Sequence, residues 1–445
     1  MSHKIRYHKP LSTLGVLPLA LAAMLTVQDA QASGFQLQEN DAAGMGRAYS
    51  GQAATPGDCA VVVNNPAAMT EFNTQCFQVD VTAIDFSTRF HGSGVDAVGS
   101  PLTGGNGGNG GATLPVPAIH YILPLSGQFA FGAALSMPYG FQTEYDNQWA
   151  GRYQAQKTKL QSPAITFSGA WKAADSLSIG ASIVAQRTSA SLTQAINLGT
   201  ILMVPTGGQL LPQGADGLGR LDGKEWAYGW GLGVLWKPTA ADRIGFNFRS
   251  QINYHINGNA TFLVQSNVLP LFGGAFVNTT GKANLSTPYT ASAGWWHTLD
   301  DRWSFGANVS FTHWSSFQSL VVTYANPAQA RFNSPMIFDF RDTWFGSIGG
   351  EYRLDNQWTL RAGIAYDQTP TVNAYRNPRI PDGDRRWLAL GAGYKVSDSL
   401  RLDVGFAHLW VSNGTVNDMS ATFDTLTGYF KSRADLLAVS AQFMF

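Results

Sequence analysis

The chain has 445 residues with 29 basic and 29 acidic side chains, and charged residues make up only 13% of it. A soluble domain carries about 25% charge, so this composition argues against a surface built wholly for water. Zero net charge argues against a nucleic-acid partner, which needs a basic face.

Residues 1–32 read as a secretory signal peptide. Lys4, Arg6 and Lys9 form a basic start, LSTLGVLPLALAAMLTV is a short apolar stretch, and Ala30-Gln31-Ala32 is a small-x-small cleavage site. The mature chain is expected to begin at Ser33. Beyond it no apolar run approaches the ~18 residues of a membrane helix. Closed barrels are then the remaining way to satisfy a backbone inside lipid.

Residues 33–73 do not alternate like a strand. They are rich in Gly, Ala and Asn, and the run AVVVNNPAAM needs burial, which a disordered periplasmic tail would not supply. The chain's two cysteines are Cys59 and Cys76. In an oxidising compartment they could pair, closing a loop that stabilises by roughly 3 kcal/mol. Two buried free thiols are the alternative, because sequence does not give a Cα separation.

Residues 74–445 carry a repeat. An aromatic or apolar strand end is followed by a short polar turn and an alternating strand containing glycine. The instances are YILPLSGQFAFGA (121–133), WKAADSLSIGA (171–181), WKPTAADRIGFNF (236–248), WHTLDDRWSFGA (296–307), YRLDNQWTLRAG (352–363) and YKVSDSLRLDVG (394–405). Asp, Asn, Ser and Gly supply the turn chemistry, and Trp and Tyr at the edge suit a lipid headgroup interface. Six hairpins give twelve strands. A first strand at CFQVDVTAIDF and a last one ending at Phe445 make fourteen, an even number with both termini periplasmic. The fold class expected is all-β, a 14-stranded antiparallel transmembrane β-barrel.

Within the strands one face is oily. Leu400, Leu402, Val404, Phe406 and His408 alternate with Arg401, Asp403, Gly405 and Ala407. Ile244, Phe246, Phe248, Ile252 and Tyr254 alternate with Gly245, Asn247, Arg249 and Gln251. Short turns at one end and long connections at the other favour the inverted arrangement, apolar outward. The long connections are expected near 91–115, 138–159, 193–222, 255–283, 313–340, 368–385 and 410–430. The bare Phe445 then ends the last strand in the interfacial girdle.

Two long connections are greasy. Leu198, Ile201, Leu202, Val204, Leu210 and Leu211 in one, with Leu269, Leu271 and Phe272 in the other, are the candidates for an outer apolar groove. Packing on each other as a lid is the alternative. By parity Arg249, Arg341, Arg361 and Arg401 face the bore. Arginine suits bidentate recognition of a carboxylate, or these residues brace a plug; Asp403 beside Arg401 favours bracing there. His313 and Ser315 share a strand face, but no third group orients them, so no enzyme activity is expected. No cofactor and no metal is expected.

A barrel of this width needs something in its bore. SGFQLQENDAAGMGRAYSG (33–51), NNPAAMT with Asn65-Pro66-Ala67, SMPYGFQTEY (136–145), WSSFQSL (314–320) and IPDGDRRWLALG (380–391) resemble the FadL family of outer-membrane long-chain fatty-acid and hydrocarbon transporters. The resemblance covers Ser33 to Phe445. It implies an N-terminal hatch over 33–73 plugging a barrel over 74–445. It implies that Ser33, Gly34 and Phe35 shift when ligand binds, and that an inward kink at Met137, Pro138, Tyr139 and Gly140 borders a lateral opening. Passive uptake of long-chain fatty acids across a Gram-negative outer membrane follows, with aromatic hydrocarbons of the toluene or xylene type as the alternative ligands. A structural barrel or phage receptor is a second alternative. Implied partners are hydrophobic small molecules, outer-membrane lipids and, through the terminal Phe445, the outer-membrane assembly machinery.

Overall fold

Side chains that alternate between oil and water need a sheet with two unlike faces, and the chain builds one. The computed structural model describes residues 34–55 and 57–445; the signal peptide of residues 1–32 and the expected start at Ser33 lie outside the described residues. Fourteen antiparallel strands form the sheet, four of them interrupted. They are β1 Cys76–Val95, β2 Thr113–Pro124, β3 Phe129–Glu144, β4 Lys157–Ala174, β5 Leu177–Asn197 and β6 Asp216–Trp236. Next come β7 (Asp242–Arg249 and Ile252–Leu263), β8 (Thr279–Thr287 and Thr290–Thr298) and β9 (Trp303–Thr312, resumed at Val322–Tyr324). The circuit ends with β10 Thr343–Arg353, β11 Trp358–Asp367, β12 Arg385–Ser397, β13 (Leu400–Val411 and Gly414–Met419) and β14 Thr425–Met444. Strand β14 pairs with β1 from Cys76↔Met444 to Val95↔Thr425, which closes the barrel.

The short connections fall at the turns read from the sequence, from 125–128 after β2 to 398–399 after β12. Gln75 and Phe445 exchange both backbone hydrogen bonds, at 3.0 and 3.1 Å. The terminal phenylalanine is therefore the last rung of the wall. Leu402, Val404 and Phe406 are exposed on the outside, while Asp403, Gly405 and Ala407 are buried inside. The outer connections are shorter than expected. The one placed at 193–222 spans only 198–215, because β5 and β6 stay paired out to Asn197↔Asp216. Small and polar residues occupy both faces there, so the alternating signal fades once the sheet leaves the oil.

One parity expectation is corrected. Ile252 and Tyr254 were expected outward, with Ile244 and Phe246; both are buried and face the bore. Strand β7 breaks at Ser250–Gln251, where Ser250 N–H donates to Trp230 O at 2.9 Å and its Oγ accepts from Trp230 N–H at 3.0 Å. Below the break Gly231 faces Arg249; above it Lys224 faces Asn257, a register shift of one. Such a bulge turns the following side chains to the other face.

The N-terminal segment packs against the inner faces of the strands. Helix α1 (Ala42–Gly46) is capped by the Asp41 carboxylate, which accepts from Gly44 N–H. Gly46 meets β12 so closely that a Cβ would lie 2.8 Å from Gly391 Cα. Helix α2 (Val61–Asn64) leads to a 3₁₀ turn over Pro66–Glu71. Asn65 fixes this turn: its Nδ2 donates to Ala53 O (2.6 Å) and to Val234 O of β6 (2.9 Å), and its Oδ1 accepts from Ala67 N–H (3.1 Å). Gly180 and Gly233 give Pro66 and Ala67 room against the wall. Cys59 and Cys76 form a disulfide, with Cα atoms 6.0 Å apart, tying the segment to the foot of β1.

A chain of charges adds a second tie. Arg47 meets Glu351 (3.1 Å), Glu351 meets Arg361 (2.8 Å), and Arg361 meets Asp403 (2.8 Å). Arg401 pairs with Asp403 (2.7 Å) and also donates to Gly57 O (2.8 Å). Arg361 and Arg401 therefore brace the N-terminal segment, and Arg361 leaves the set of ligand candidates.

Candidate functional site

The break in β9 carries Trp314 and Phe317, and the connection after β9 carries Phe338 and Phe340, all four rings buried. They meet Phe35. Its ring centroid lies 4.6 Å from Trp314, 5.7 Å from Phe317 and 5.9 Å from Tyr139. Above Phe35 lies a partly open cavity. Phe141, Leu160, Leu192, Ile256, Leu285 and Phe317 make most of its lining apolar.

Lys159, Lys282 and Arg379 are the cations on this lining, with Asp222 as its carboxylate; the buried one is Arg379, from the connection before β12. Its guanidinium is buried and donates to Gln194 Oε1 and, at 3.4 Å, to Thr158 Oγ1. Among the described residues no carboxylate pairs with it. Burial pushes its pKa down to about 10, partly offset by the more distant Asp418. A buried, unneutralised guanidinium at one end of an oily cavity suits an amphipathic acid. Sequence reading missed it, because a residue in an irregular loop has no periodicity to say that it points inward.

Below Phe35 the wall is incomplete. The β2–β3 ladder runs from Pro124↔Ala130 only to Ile119↔Leu135, and the rest of β3 has no partner on that side within the sheet. The β3–β4 register also shifts between Ser136 and Tyr139, around Met137 and Pro138. Proline lacks the ladder donor, which suits a bulge. The N-terminal segment takes the freed edge: Leu37 N–H donates to Pro138 O (2.8 Å) and Gly140 N–H to Phe35 O (2.9 Å). Gly34 N–H donates to Asp382 Oδ2 (2.9 Å). Gly34 sits at φ +60°, and a Cβ there would come within 2.9 Å of Pro370.

On the far side of this segment lies a second chamber, mostly polar, with Glu39, Pro138, Tyr139, Arg249, Ser292 and Asn308 in its lining. Residues 35–39 thus divide an oily chamber from a polar one. Glu39 is buried, and desolvation pushes its carboxyl up to about 7, partly offset by the backbone N–H groups of Glu39 and Gln38. Seated, Glu39 stays protonated only below about 7; released into water it titrates near 4.5. The seated state therefore binds more protons between these values and loses stability as pH rises through them, by up to about 3 kcal/mol. Protection factors at residues 35–39, taken relative to the base-catalysed intrinsic exchange rate, are expected to be lower at pH 8 than at pH 5, and Glu39→Gln is expected to erase the difference. Equal pH dependence in the two proteins would refute the assignment.

The remaining sequence candidates divide. Leu198, Leu202 and Phe272 are buried in one cluster, with Ile201, Leu210 and Leu269 packed against it, and the greasy connections do meet. Helix α3 (Leu198–Met203) and the aromatic pairs Phe272–Phe276 (4.9 Å) and Phe276–Phe332 (4.8 Å) hold them together. Phe332, from a third connection, was not foreseen. Val204, Leu211 and Leu271 lie exposed outside this cluster. Arg249 lines the polar chamber and not the oily one. Arg341 is not in the bore pocket where parity placed it. Its strand begins only at Thr343, and its half-exposed side chain lies 3.6 Å from Asp384. Ser33 lies outside the described residues.

His313 and Ser315 do gain a carboxylate neighbour. Yet Ser315 Oγ and Asp342 Oδ2 both lie 3.2 Å from the same ring atom, His313 Nδ1. A relay needs the base to face the nucleophile with one nitrogen and the carboxylate with the other.

The family model described as "Outer membrane protein transport protein (OMPP1/FadL/TodX)" matches residues 22–445. The chain is 31% identical over 416 residues to the long-chain fatty acid transport protein of Escherichia coli O6:H1, covering 88% of this chain and 90% of that one. It matches the crystal structure of a Pseudomonas aeruginosa FadL homologue with a TM-score of 0.87 at 30% identity, over 92% of this chain and 99% of that one. The toluene transporter TbuX of Ralstonia pickettii shares the fold, with a TM-score of 0.64 at 20% identity, over 92% and 99% of the two chains.

Proposed function

The chain belongs to the OMPP1/FadL/TodX family of outer-membrane transport proteins, and from that premise we propose that it carries long-chain fatty acids passively across the outer membrane of a Gram-negative cell. The observation that carries this reading is the apolar cavity with the unneutralised Arg379 on its lining. An acyl chain gains about 0.8 kcal/mol per buried methylene, and the guanidinium holds the carboxylate.

Residues 1–32 direct export, residues 33–73 act as the hatch, and residues 74–445 form the barrel. Exposed Val204, Leu211 and Leu271 flank the outer apolar cluster and offer the first oily contact. From the cavity the solute passes Phe35 and leaves sideways between β2 and β3, beside Met137, Pro138, Tyr139 and Gly140. An oily solute gains nothing from the aqueous periplasm and partitions directly into the bilayer. That path requires Gly34–Leu37 to let go of Pro138 and Gly140, so hatch movement is the gate. No step consumes energy, and no catalytic role is assigned to His313 or Ser315. Outer-membrane lipids surround the wall, and the terminal Phe445 serves recognition by the assembly machinery.

Arg379→Leu tests the reading. Purified protein in detergent is expected to bind oleate at least tenfold more weakly, since a charge-assisted hydrogen bond contributes about 1.5–3 kcal/mol. Oleyl alcohol binding is expected to change little. Unchanged oleate affinity would remove Arg379 from the site. The hydrocarbon alternative predicts toluene uptake that depends on the protein and does not depend on Arg379.

A further inference from the structure

A second group of donors lies at the boundary between the two chambers. Arg249 Nη2 donates to Gln186 Oε1 at 2.7 Å, which leaves Gln186 Nε2 as the free end of that amide. Gln186 Nε2, Tyr254 OH and Thr287 Oγ1 are all buried without a hydrogen-bond partner. These three residues are at most 1% exposed. The Tyr254 hydroxyl lies close to Thr188, Thr287, Gln186 and Arg249 but in strict hydrogen-bond geometry with none of them, and Thr188 Oγ1 is already engaged by Ser162 Oγ at 2.8 Å. The Tyr139 hydroxyl, also near Arg249, is already committed to Pro288 O at 3.2 Å.

Arg249 has no carboxylate partner among the described residues. In the same bore Arg47, Arg361, Arg385 and Arg401 each have one. Every spare group around Arg249 can donate, and none carries a negative charge. Burying one such group unpaired is costly, and native structures rarely keep several together without a reason. Arg249 and Tyr139 line the polar chamber, while Tyr254 packs in one apolar cluster with Phe35 and Ile256, and Ile256 lines the oily cavity. The donors therefore stand on the route past Phe35.

We propose that Arg249, Gln186, Tyr254 and Thr287 form a second head-group site, which takes the ligand's carboxylate after it leaves Arg379. The inference rests on the fatty-acid reading above and deepens it. Two unneutralised guanidiniums, one on each side of Phe35, let an acid cross the partition without its charge being stranded in oil. A neutral hydrophobe gains nothing from the second site, so this site selects acids.

Uptake of oleate and of a neutral alkane by cells carrying the full-length protein tests this. Arg249→Gln is expected to slow oleate uptake by about tenfold or more and to leave alkane uptake unchanged. Tyr254→Phe, which keeps the ring and removes only the hydroxyl, is expected to slow oleate alone by a few-fold. Uptake of both solutes at wild-type rates by both variants would mean that the donors serve only an ordered water, and would overturn the proposal. Equal losses for oleate and alkane would assign Arg249 a structural role and overturn it too. If the unaltered protein takes up no oleate, the transport reading itself fails, which separates that outcome from failure of the second site alone.

Discussion

A Gln36→Cys, Tyr139→Cys double variant is expected to lose uptake when oxidised and to regain it on reduction. Gln36 and Tyr139 form an antiparallel bridge between the N-terminal segment and β3. The hydrogen bonds on either side, Leu37 N–H to Pro138 O and Gly140 N–H to Phe35 O, make it a non-hydrogen-bonded pair. Such pairs bring Cα atoms to about 4.5 Å, within disulfide range. The two hydrogen bonds are the ties that must break for the gap beside Pro138 to open. A covalent link holds them closed against any binding energy a solute supplies. Tyr139→Cys alone controls for the lost ring. Oxidised protein that transports at the reduced rate would show that the solute does not leave past β3.

Arg361→Met is expected to loosen the hatch and spare the barrel. Arg361 is buried between Glu351 and Asp403, and through Glu351 it reaches Arg47 on the hatch. Its two carboxylate partners stay behind, each with one arginine left: Glu351 with Arg47 and Asp403 with Arg401. Breaking an isolated buried pair costs about 3–5 kcal/mol, and the remaining arginines lower that cost here. The expected readouts are faster hydrogen exchange at residues 42–50, raised ion conductance in planar bilayers, and an unchanged melting transition for the strands. Adding Glu351→Gln and Asp403→Asn should deepen the loss, since Arg47 and Arg401 then lose their carboxylates. Conductance and exchange equal to wild type would show that the disulfide and Asn65 hold the hatch unaided.

Arg361 also shows where sequence reasoning stops. Parity placed it in the bore correctly, but parity cannot say what stands opposite. Glu351 reaches it across the β10–β11 pairing, directly at the facing position, and Asp403 comes from β13, two strands away. Ile252 and Tyr254 failed in a different way. Their alternation was real, but one bulge at Ser250 reversed it, and a bulge of that kind leaves no mark in composition. Arg379 failed in a third way, as a loop residue in RNPRIPDGDRR whose direction depends on a turn back into the bore. The greasy connections were expected to form an outer groove, with packing on each other as the alternative; in the structure they meet. Their centre proved to be a packed cluster, because rings and leucines that meet exclude water from each other before any solute arrives.

By itself the sequence determined the number of strands, the order of turns and outer connections, the oily outside and the need for something in the bore. Those properties rest on period-two patterning and turn chemistry, which are local, and the bilayer enforces them residue by residue. Only the tertiary structure decided the route: which arginines stay unneutralised, where the wall lacks a partner strand, and which segment covers the gap. Charge pairing and edge pairing are set by residues hundreds of positions apart, as Gly34 with Asp382 shows, so no local pattern encodes them.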